Sequence, residues 1–514
     1  MITLAIIAVT IVALYLYGTR TYKYWIDRGI KHDKPLPFIG NSSGFLLRKQ
    51  SATEKAVELY WKYPNEKVVG FYRLAKPELI IRDPEIAKNI LTTDFMHFYP
   101  RGLNKEKDAI EPILKNLFFA DGDLWRLLRQ RMTPAFSSGK LKAMFPLICE
   151  RAEKLQEVLA ADSADGATCI DAREVMARYT TDFIGSCGFG LEADSLNDKD
   201  SAFRKLGARM FKINIKRFIK SVLRDLVPGI FKHLKVFDDV EYEITAIVKE
   251  IQRQRNNEPS GRNDFIDLLL ECKKKGAMVG ESIEKTKPDG TPEIATLEMD
   301  VALMAAQVFV FFAAGFETSS SATSYTLHQL AFNPEVQKKV QQEIDRVLAK
   351  HDNKLCYEAI KEMTYLEWAF QEGMRMFPSL GFLIRECSRK YTFKELDLTI
   401  DPGVAIMIPL QALHNDPLYF DNPKEFRPER FHPDELDAQK KLVYMPFGEG
   451  PRACIVPMYI KLISLAGLAA VLSKYSVEPA QETLRWPIVD PTSHIVQSIK
   501  GGLPLIFRER CKAI

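Results

Sequence analysis

The chain has 514 residues, of which 46% are hydrophobic and 27% are charged, as is usual for a soluble globular protein. This composition excludes a collagen-like chain, a disordered chain and a polytopic membrane protein. Lys and Arg number 71 against 67 Asp and Glu, so no strong net charge points to a nucleic acid partner.

Eight cysteines are spread along the chain. None stands in a Cys-x-x-Cys pair or in a Cys/His cluster with the spacing of a zinc site. The spacing therefore predicts free thiols and no disulfide framework, and we expect most of the chain to lie in a reducing compartment.

The N-terminus begins with an apolar run, since residues 1–17 carry no charge. Four basic residues follow the run: Arg20, Lys23, Arg28 and Lys31. Seventeen residues span about 25 Å as a helix, the short end of a membrane crossing. A cleaved signal peptide is the alternative, but the run lacks a basic start and a small-residue cleavage site. We predict a transmembrane anchor over residues 1–18, and the basic flank places the rest of the chain in the cytosol.

A proline-rich segment comes after the anchor. Pro35 and Pro37 stiffen the chain, and Gly40 permits a turn. We predict that residues 19–45 form a basic, proline-rich hinge and that residues 46–514 form one large domain.

The first elements of that domain differ in type. Residues 68–83 contain two β-rich runs around Lys76-Pro77 and predict a pair of strands. From Pro84 to about residue 280, helical periodicity dominates. The stretch 279–295 is rich in Gly, Pro and charge, and it predicts a surface loop.

A long helix is predicted next, from about Leu297 to Phe332, where Asn333-Pro334 ends it. Its middle holds Gln307 as the single polar side chain between Val301 and Phe316. A helix that is apolar on all sides must be buried. The pattern as a whole predicts a fold that is mainly α with small β-sheets, in the α+β class.

A basic amphipathic stretch lies at 204–235, where ten cations stand against one acid between apolar residues. Two interpretations stay open. The stretch is either a solvated helix face or a surface that contacts an anionic membrane near the anchor.

Cys454 ends a tight loop, PFGEGPRACI, and precedes an apolar run that predicts a helix. Free backbone N–H groups and the helix dipole at such a position favour thiolate over thiol, and Arg452 adds a nearby cation. The local chemistry leaves four roles open for Cys454: nucleophile, redox thiol, metal ligand or inert buried side chain.

Three further patterns are uninformative singly. The sequence Ala314-Gly315-Phe316-Glu317-Thr318 places an acid and a hydroxyl inside the apolar helix, as a kink or a ligand site. Glu372 and Arg375 share a face of a predicted helix. Arg430 lies in the Pro-bounded loop FRPERF, and the pair Trp125 and Arg129 lies on WRLLR.

Together, and in the order in which they follow one another along the chain, these motifs resemble those of the cytochrome P450 family of haem-thiolate monooxygenases. The resemblance extends over nearly the whole chain. Residues 311–337 and 363–387 are most similar to insect microsomal enzymes that oxidise foreign chemicals.

The resemblance implies a role for each motif. Cys454 would be the axial thiolate ligand of a haem b iron, with Phe447 packed beside the sulfur and Gly450 letting the loop approach the porphyrin. The haem propionates would bind Trp125, Arg129, Arg385 and Arg452, with His414 and Arg101 as further candidates. Thr318 and Glu317 would deliver protons, and Ala314 and Gly315 would border the oxygen pocket. A buried charge network would comprise Glu372, Arg375 and Arg430.

The resemblance also implies partners and a location. The sequence has no flavin or dinucleotide motif, so electrons would come from NADPH–cytochrome P450 reductase, with cytochrome b5 as a second donor. The enzyme would sit in the endoplasmic reticulum membrane, with O2 and an apolar small molecule as its substrates. Candidate cations for the docking face are Arg126, Arg131, Lys140, Lys142 and Lys461.

The chain departs from the family pattern after Cys454. Val456 stands where the family nearly always has Gly, Met458 stands where Arg is usual, and Pro457 lies between them. A β-branched side chain beneath the haem should cost about 1–3 kcal/mol in overpacking, whereas Pro is tolerated in a first helical turn. The outcomes are a shifted haem with normal chemistry, weak haem retention with impaired catalysis, or a fault in the sequence itself.

Three hypotheses of function follow. The chain is a monooxygenase of apolar molecules, a haem-binding protein with impaired or no catalysis, or a haem-thiolate isomerase or peroxide user that needs no reductase. The pocket is expected to be apolar. Its predicted walls are residues 100–120, 203–235, 379–384 and 490–500, with Phe309 and Phe312.

Overall fold

A computed structural model of the chain describes residues 2–104, 107–162, 167–191, 193–211, 214–262, 264–493 and 495–510. The α-helices of these residues are α1 (Ile2–Thr19), α2 (Ser43–Leu46), α3 (Ala52–Lys62), α4 (Pro84–Lys88), α5 (Phe95–Phe98), α6 (Gly122–Met132), α7 (Ser138–Asp162), α8 (Ala172–Phe183), α9 (Ala202–Phe211), α10 (Ile215–Leu226), α11 (Pro228–Phe231), α12 (Asp238–Gln254), α13 (Phe265–Lys274), α14 (Val301–Ala331), α15 (Pro334–Lys350), α16 (Tyr357–Glu362), α17 (Thr364–Met376), α18 (Leu410–Leu413), α19 (Ala438–Val443) and α20 (Pro457–Lys474). Two π-helical segments are Asn89–Thr93 and Ile184–Phe189. Short 3-10 turns are Lys107–Ala109, Pro112–Leu114, Thr133–Phe136, Lys394–Leu396, Pro428–Phe431 and Gly450–Arg452.

The strands form small, separate sheets. They are β1 (Val68–Arg73), β2 (Lys76–Ile81), β3 (Ala167–Asp171), β4 (Met278–Thr286), β5 (Pro292–Leu297), β6 (Leu383–Glu386), β7 (Tyr391–Phe393), β8 (Leu398–Ile400), β9 (Ala405–Ile408), β10 (Tyr475–Pro479) and β11 (Pro504–Glu509). One sheet has the order β1-β2-β9-β6, with β2 and β9 parallel, and a second has the order β10-β11-β3. The pairs β4-β5 and β7-β8 are antiparallel. The predicted strand pair at 68–83 and the mainly helical class with small sheets are both confirmed.

The central helix α14 organises the core. The Asp300 side chain accepts a hydrogen bond from the Leu303 N–H and caps the helix start, four residues later than predicted. Asn333 and Pro334 end the helix as expected, because Pro334 begins α15. Every residue from Ser319 to Ala331 is buried, and along its length α14 packs against α8, α12, α17 and α20.

The prediction of a surface loop at 279–295 was wrong. This stretch forms the hairpin β4-β5, with Gly290 at a φ of 83° in the turn. The hairpin packs on α6, where Asp123 accepts hydrogen bonds from the Ile283 N–H and the Ser282 hydroxyl, both at 2.7 Å. The Gly, Pro and charged residues lie in the turn and on the exposed faces of the strands. A prediction from composition therefore missed the alternation of more and less exposed residues along β5.

The residues after α1 are packed and do not hang free. Trp25 is fully buried, and its indole N–H donates to the Phe71 carbonyl at 3.2 Å. The Asn41 N–H donates to the Tyr72 carbonyl at 2.8 Å. These contacts hold the segment against β1. The predicted hinge, residues 19–45, is therefore packed on the domain, and we call it the strap.

Three helices of the described residues are long and apolar enough to cross a membrane: α1, α14 and α20. Half of the apolar window of α14 and most of that of α20 are buried inside the protein, whereas only Gly18 of α1 is buried. Their burial assigns α14 and α20 to the core and leaves α1 as the anchor candidate. The boundaries at residues 18 and 45 stay predictions.

Candidate functional site

A cavity of about 890 Å³ lies between the middle of α14 and the loop that precedes α20. Site candidates from the sequence line it: Arg101, Trp125, Arg129, Lys140, Ala314, Gly315, Thr318, Arg385, Phe447, Arg452, Cys454 and Val456. Motifs that are far apart in the sequence therefore meet around one cavity.

Cys454 lies in the cavity wall, three residues before the start of α20 at Pro457. Its backbone N–H donates to the Phe447 carbonyl at 2.8 Å, which closes the loop. Burial raises the pKa of the Cys454 thiol, although the Val456 N–H and the Arg129 guanidinium act to lower it. Burial therefore opposes the thiolate that the local donors favour. A bound metal cation would reverse this balance, since a coordinating thiol is deprotonated outright.

Loop geometry separates the two glycines before Cys454. Gly448 has a φ of 73° and lines the cavity. Gly450 has a φ of 71°, and a Cβ on it would collide with the Leu91 carbonyl oxygen. The absence of a side chain at Gly450 therefore lets the loop pack closely on the π-helical segment Asn89–Thr93. From the sequence we predicted that this glycine lets the loop approach the porphyrin, but Gly450 is not among the described residues that line the cavity. The glycine at the cavity is Gly448, which the motif FGEG contained but which we did not single out.

The facing wall is a stripe of α14. Ala314 is exposed although it lies mid-helix, because it faces the cavity. A Cβ on Gly315 would lie 2.7 Å from Cδ1 of Ile184, so this glycine allows the π-helical segment Ile184–Phe189 to pack closely. The Thr318 hydroxyl donates to the Ala314 carbonyl at 2.6 Å. The Thr318 carbonyl accepts a hydrogen bond from the Ser379 hydroxyl at 3.1 Å.

Helical periodicity decides which aromatic side chains reach the cavity. Phe311 lines it together with Gly315 and Thr318, as expected for residues spaced by three or four on one helix face. The predicted wall residues Phe309 and Phe312 are buried on other faces of α14 and are not lining residues within the described chain. Parts of the four predicted wall segments do line it.

Glu317 points away from this stripe. Its carboxylate pairs with the Arg173 guanidinium of α8, and Arg173 also donates to the Tyr325 hydroxyl at 3.4 Å. Among the described residues, Glu317 does not line the cavity. The structure thus places Thr318 at the cavity and ties Glu317 to α8, so the predicted joint proton path is interrupted. Arg173, which sequence reasoning missed, lies 144 residues away in the chain.

Guanidinium groups crowd one end of the cavity. Arg452 donates to the Tyr99 and Ala120 carbonyls at 3.0 and 2.8 Å and to Asp121 at 2.7 Å. Its guanidinium lies 4.1 Å from the centroid of the Trp125 ring. The sequence assigned Arg452 to a propionate, but its three nitrogens all bond to protein and hold the loop in place.

The neighbouring arginines have fewer partners. Arg129 donates to the Ala453 carbonyl at 2.8 Å. Arg385 is 2% exposed, and its Nε has no hydrogen-bond partner within the described part of the chain. Burial lowers the pKa of Arg385 to about 9 and that of Arg101 to about 10. Desolvated cations of this kind call for an anionic partner.

The predicted charge network lies outside the cavity. Glu372 bonds to Arg375 at 2.7 Å and to Arg430 at 3.2 Å, and all three side chains are fully buried. Arg430 reaches Asp421 at 2.8 Å. His414 belongs to this region and not to a propionate site, because its carbonyl accepts from Arg375 at 2.9 Å and its Nε2 accepts from the Met445 N–H. Burial lowers the pKa of His414 to about 3.

The unusual residues after Cys454 are placed as follows. Val456 lines the cavity and precedes α20. Pro457 occupies the first turn of that helix, where its missing N–H is harmless, as expected. Met458 is 37% exposed. The isopropyl group of Val456 therefore enters space that a glycine would leave open.

The predicted docking cations are mostly engaged within the chain. Lys461 pairs with Glu367, Lys142 pairs with Glu358 at 2.7 Å, and Arg126 lies 3.7 Å from Glu281. Arg131 reaches the Ala277 carbonyl at 3.5 Å. Lys140 lines the rim of the cavity.

The residues present fit a large prosthetic group. The Cys454 thiol and the small side chains of α14 line the cavity together. The buried guanidinium groups at one end are suited to bind anions. A haem has the matching chemistry, with an iron for the thiolate and carboxylate arms for the arginines. The fold and the site thus define the class of haem-thiolate proteins.

Comparison with known proteins gives the family. The family described as Cytochrome P450 matches residues 31–505. The chain is 37% identical over 504 residues to "Cytochrome P450 6B2" of Helicoverpa armigera, covering 98% of this chain and 97% of that protein. It is 36% identical over 512 residues to "Cytochrome P450 6a2" of Drosophila melanogaster, covering 97% and 98%, and 34% identical over 511 residues to "Cytochrome P450 6k1" of Blattella germanica, covering 98% and 96%. The chain belongs to the cytochrome P450 family, and it is a haem monooxygenase.

Proposed function

We propose that this chain is a membrane-anchored monooxygenase that inserts one oxygen atom from O2 into apolar small molecules, either xenobiotics or endogenous lipids. Haem b held by Cys454 is the proposed cofactor, and NADPH is the proposed electron source. The observation that carries the proposal is that Cys454 and Thr318 line the same cavity. The bound haem supplies activation of O2 and transfer of one oxygen atom to the substrate.

The residues have separate tasks in this proposal. The Cys454 thiolate ligates the iron. Arg385, Arg101 and Arg129 neutralise the propionates, since a buried cation favours a carboxylate partner. Arg452 holds the loop through its protein hydrogen bonds, and Trp125 packs against that guanidinium.

Thr318 is the proposed proton-handling group at the cavity. Its hydroxyl donates to the Ala314 carbonyl. Its oxygen can therefore still accept a hydrogen bond from a proton donor in the cavity. Glu317 can assist only when its pair with Arg173 opens, because the carboxylate is otherwise held at α8.

The walls support an apolar substrate. Leu117, Phe119, Val310 and Phe311 are among the apolar side chains that line the cavity. Such a lining holds a guest mainly by burying its apolar surface and excludes water from the reacting atoms.

The surface supports a location at the endoplasmic reticulum membrane, with the catalytic domain facing the cytosol. Helix α1 is apolar and exposed. Helix α10 carries Lys216 and Lys220 beside Ile215 and Ile219, which are 58% and 50% exposed. A basic amphipathic helix with exposed isoleucines suits an anionic membrane surface better than water. NADPH–cytochrome P450 reductase is the proposed electron donor, with cytochrome b5 as a second.

The test is spectroscopic. Reduced protein treated with carbon monoxide should show the absorption band of a thiolate-ligated haem, with one haem per chain. The Cys454→Ser variant should lose this band, because a hydroxyl does not ligate the iron as a thiolate does. An unchanged spectrum in that variant would overturn the assignment of Cys454.

A second function is favoured by the placement of Val456 in the cavity wall. In this alternative the chain binds haem but turns over poorly or not at all. Purified protein with reductase, NADPH and apolar substrates separates the two, since NADPH consumption without oxygenated product supports the alternative.

Val456→Gly should relieve overpacking of about 1–3 kcal/mol. We expect a higher haem content per chain and a raised thermal unfolding midpoint, measured on protein expressed with added haem precursor. Met458→Ala is the control, because Met458 is partly exposed and outside the lining. Equal haem content in wild type and Val456→Gly would show that the valine is accommodated without strain.

A further inference from the structure

A second group of reactive side chains lies between α15 and α16, away from the residues that line the cavity. The Sγ of Cys356 lies 3.6 Å from Nδ1 of His351. The Nε2 of the same ring lies 3.0 Å from Oε1 of Glu362. The three side chains thus form a chain from thiol to imidazole to carboxylate, the arrangement that activates nucleophilic cysteines.

The backbone fixes this geometry. The turn after α15 contains Asp352 and Asn353 at φ values of 54° and 58°, left-handed conformations that bring His351 back toward α16. Cys356 is the N-cap of α16, and its sulfur accepts from the Ala359 N–H at 3.4 Å. The sulfur therefore faces one imidazole that can accept its proton and one backbone N–H that stabilises negative charge on it.

The carboxylate settles the direction of the hydrogen bonds. The hydrogen bond from His351 lowers the pKa of Glu362, so Glu362 is an anion that accepts from Nε2. Nδ1 is then left as the acceptor for the thiol proton.

The charges around the group are otherwise balanced. Lys350 lies 3.4 Å from Glu362. Glu358, the other acid near the ring, is paired with Lys142 at 2.7 Å. Both acids of α16 are therefore paired with a lysine.

We propose that Cys356 is a nucleophilic thiol that forms covalent adducts with α,β-unsaturated carbonyl compounds. The Cys356 proton passes to Nδ1 of His351, and the sulfur forms a C–S bond with the β-carbon of the electrophile. The electron pair of the C=C bond moves to the α-carbon, which takes the proton back from His351. No oxidant and no leaving group is needed, so atoms and electrons balance.

Neighbouring groups select this chemistry over two others. Disulfide formation would need a reactive second thiol, but burial raises the pKa of nearby Cys149 to about 12, and its thiol donates to the Leu355 carbonyl at 3.1 Å. Acyl transfer would need donors for a carbonyl oxygen, whereas the Ala359 N–H is already directed at the sulfur. Conjugate addition requires only the nucleophile and a proton donor, and both are present.

Cys169 offers an internal comparison. It is the more accessible side chain, being exposed where Cys356 is partly buried. Burial and the nearby Glu482 raise the pKa of Cys169, and its contact to that acid is 3.9 Å. If accessibility alone set the rate of adduct formation, Cys169 would react faster. If the contact with His351 sets the rate, Cys356 reacts faster.

The experiment uses full-length holoenzyme and limiting N-ethylmaleimide at neutral pH, with adducts at each cysteine followed over time by peptide mass spectrometry. Cys356 should react about tenfold faster than Cys169, because His351 can take the Cys356 proton during attack, whereas Cys169 contacts the acid Glu482. His351→Gln should lower the rate at Cys356 to that of Cys169 without changing Cys169. Glu362→Gln, at an exposed carboxylate, should lower it partly.

Equal or faster labelling at Cys169, or an unchanged Cys356 rate in both variants, would overturn the proposal. A preferred disulfide between Cys356 and Cys149 in unlabelled protein would also overturn it. The carbon monoxide spectrum of each variant verifies that the fold is intact, and Glu362→Gln keeps the test decisive if His351→Gln misfolds.

Discussion

Thr318 carries the sharpest expectation at the scale of a single residue. Its hydroxyl bonds to a carbonyl one turn earlier and faces the cavity. Thr318→Ala should leave haem binding intact but uncouple the enzyme. NADPH oxidation should continue while product per NADPH falls by about a hundredfold, the low end of what a positioned proton donor contributes.

Thr323→Ala is the matched control, because its hydroxyl makes the same bond to the Ser319 carbonyl at 2.7 Å in a buried part of α14. Coupling is measured as the ratio of product to NADPH consumed. Product formation by Thr318→Ala at the wild-type rate and without NADPH would instead favour an isomerase or peroxide-driven activity that needs no reductase.

Glu372 is the second residue-scale case. It is fully buried and bonds to both Arg375 and Arg430. Glu372→Gln should lower the free energy of unfolding by about 3–5 kcal/mol, because it leaves buried guanidinium charge uncompensated.

Denaturant unfolding of the holoenzyme measures this effect. Glu425→Gln is the control, since the Glu425 side chain is 54% exposed and lies 3.9 Å from Arg430. We expect a change of about 0–1 kcal/mol there, as for other exposed pairs. Similar losses in both variants would contradict a special role for the buried pair.

At the scale of elements, the hairpin β4-β5 supports α6, the helix that carries Trp125 and Arg129. Asp123 joins the two through Ser282 and Ile283. Asp123→Ala should cost about 1–3 kcal/mol, because it removes the acceptor of partly buried donors.

Hydrogen exchange should then show lost protection in both Met278–Thr286 and Gly122–Met132. Asp289→Ala, in the exposed turn, should affect only the turn, where Asp289 accepts from Thr291. If α6 keeps its full protection in Asp123→Ala, the hairpin does not brace it.

Elements also show how far the sequence could lead. Helix α14 was predictable because a long apolar run ends at Asn333-Pro334. The loop before α20 left the role of Cys454 open, and only the combination of motifs along the chain gave it one. The orientation of Glu317 was not, because its partner Arg173 lies on another helix. The partners of Arg452 are more than 330 residues away, so no local pattern could show that its donors were already used.

At the scale of the whole molecule, we expect the packing of the strap after α1 on β1 to contribute to the free energy of unfolding. Trp25 is fully buried against β1. Trp25→Ala should lower the free energy of unfolding by about 3–5 kcal/mol, the usual cost of emptying a buried aromatic site.

Trp61→Ala is the natural comparison, because Trp61 is 43% exposed and should cost far less. Thermal unfolding of both variants in detergent gives the difference. A Trp25→Ala protein as stable as Trp61→Ala would mean that the strap docks too weakly to matter.

The buried Trp25 has a consequence if α1 crosses a bilayer as proposed. A segment this short and this firmly packed would restrict the tilt and the height of the catalytic domain above the lipid. Encounters with the proposed membrane-bound electron donor would then be a search in two dimensions between partners held at a fixed height, and their success would depend on lateral diffusion more than on rotation.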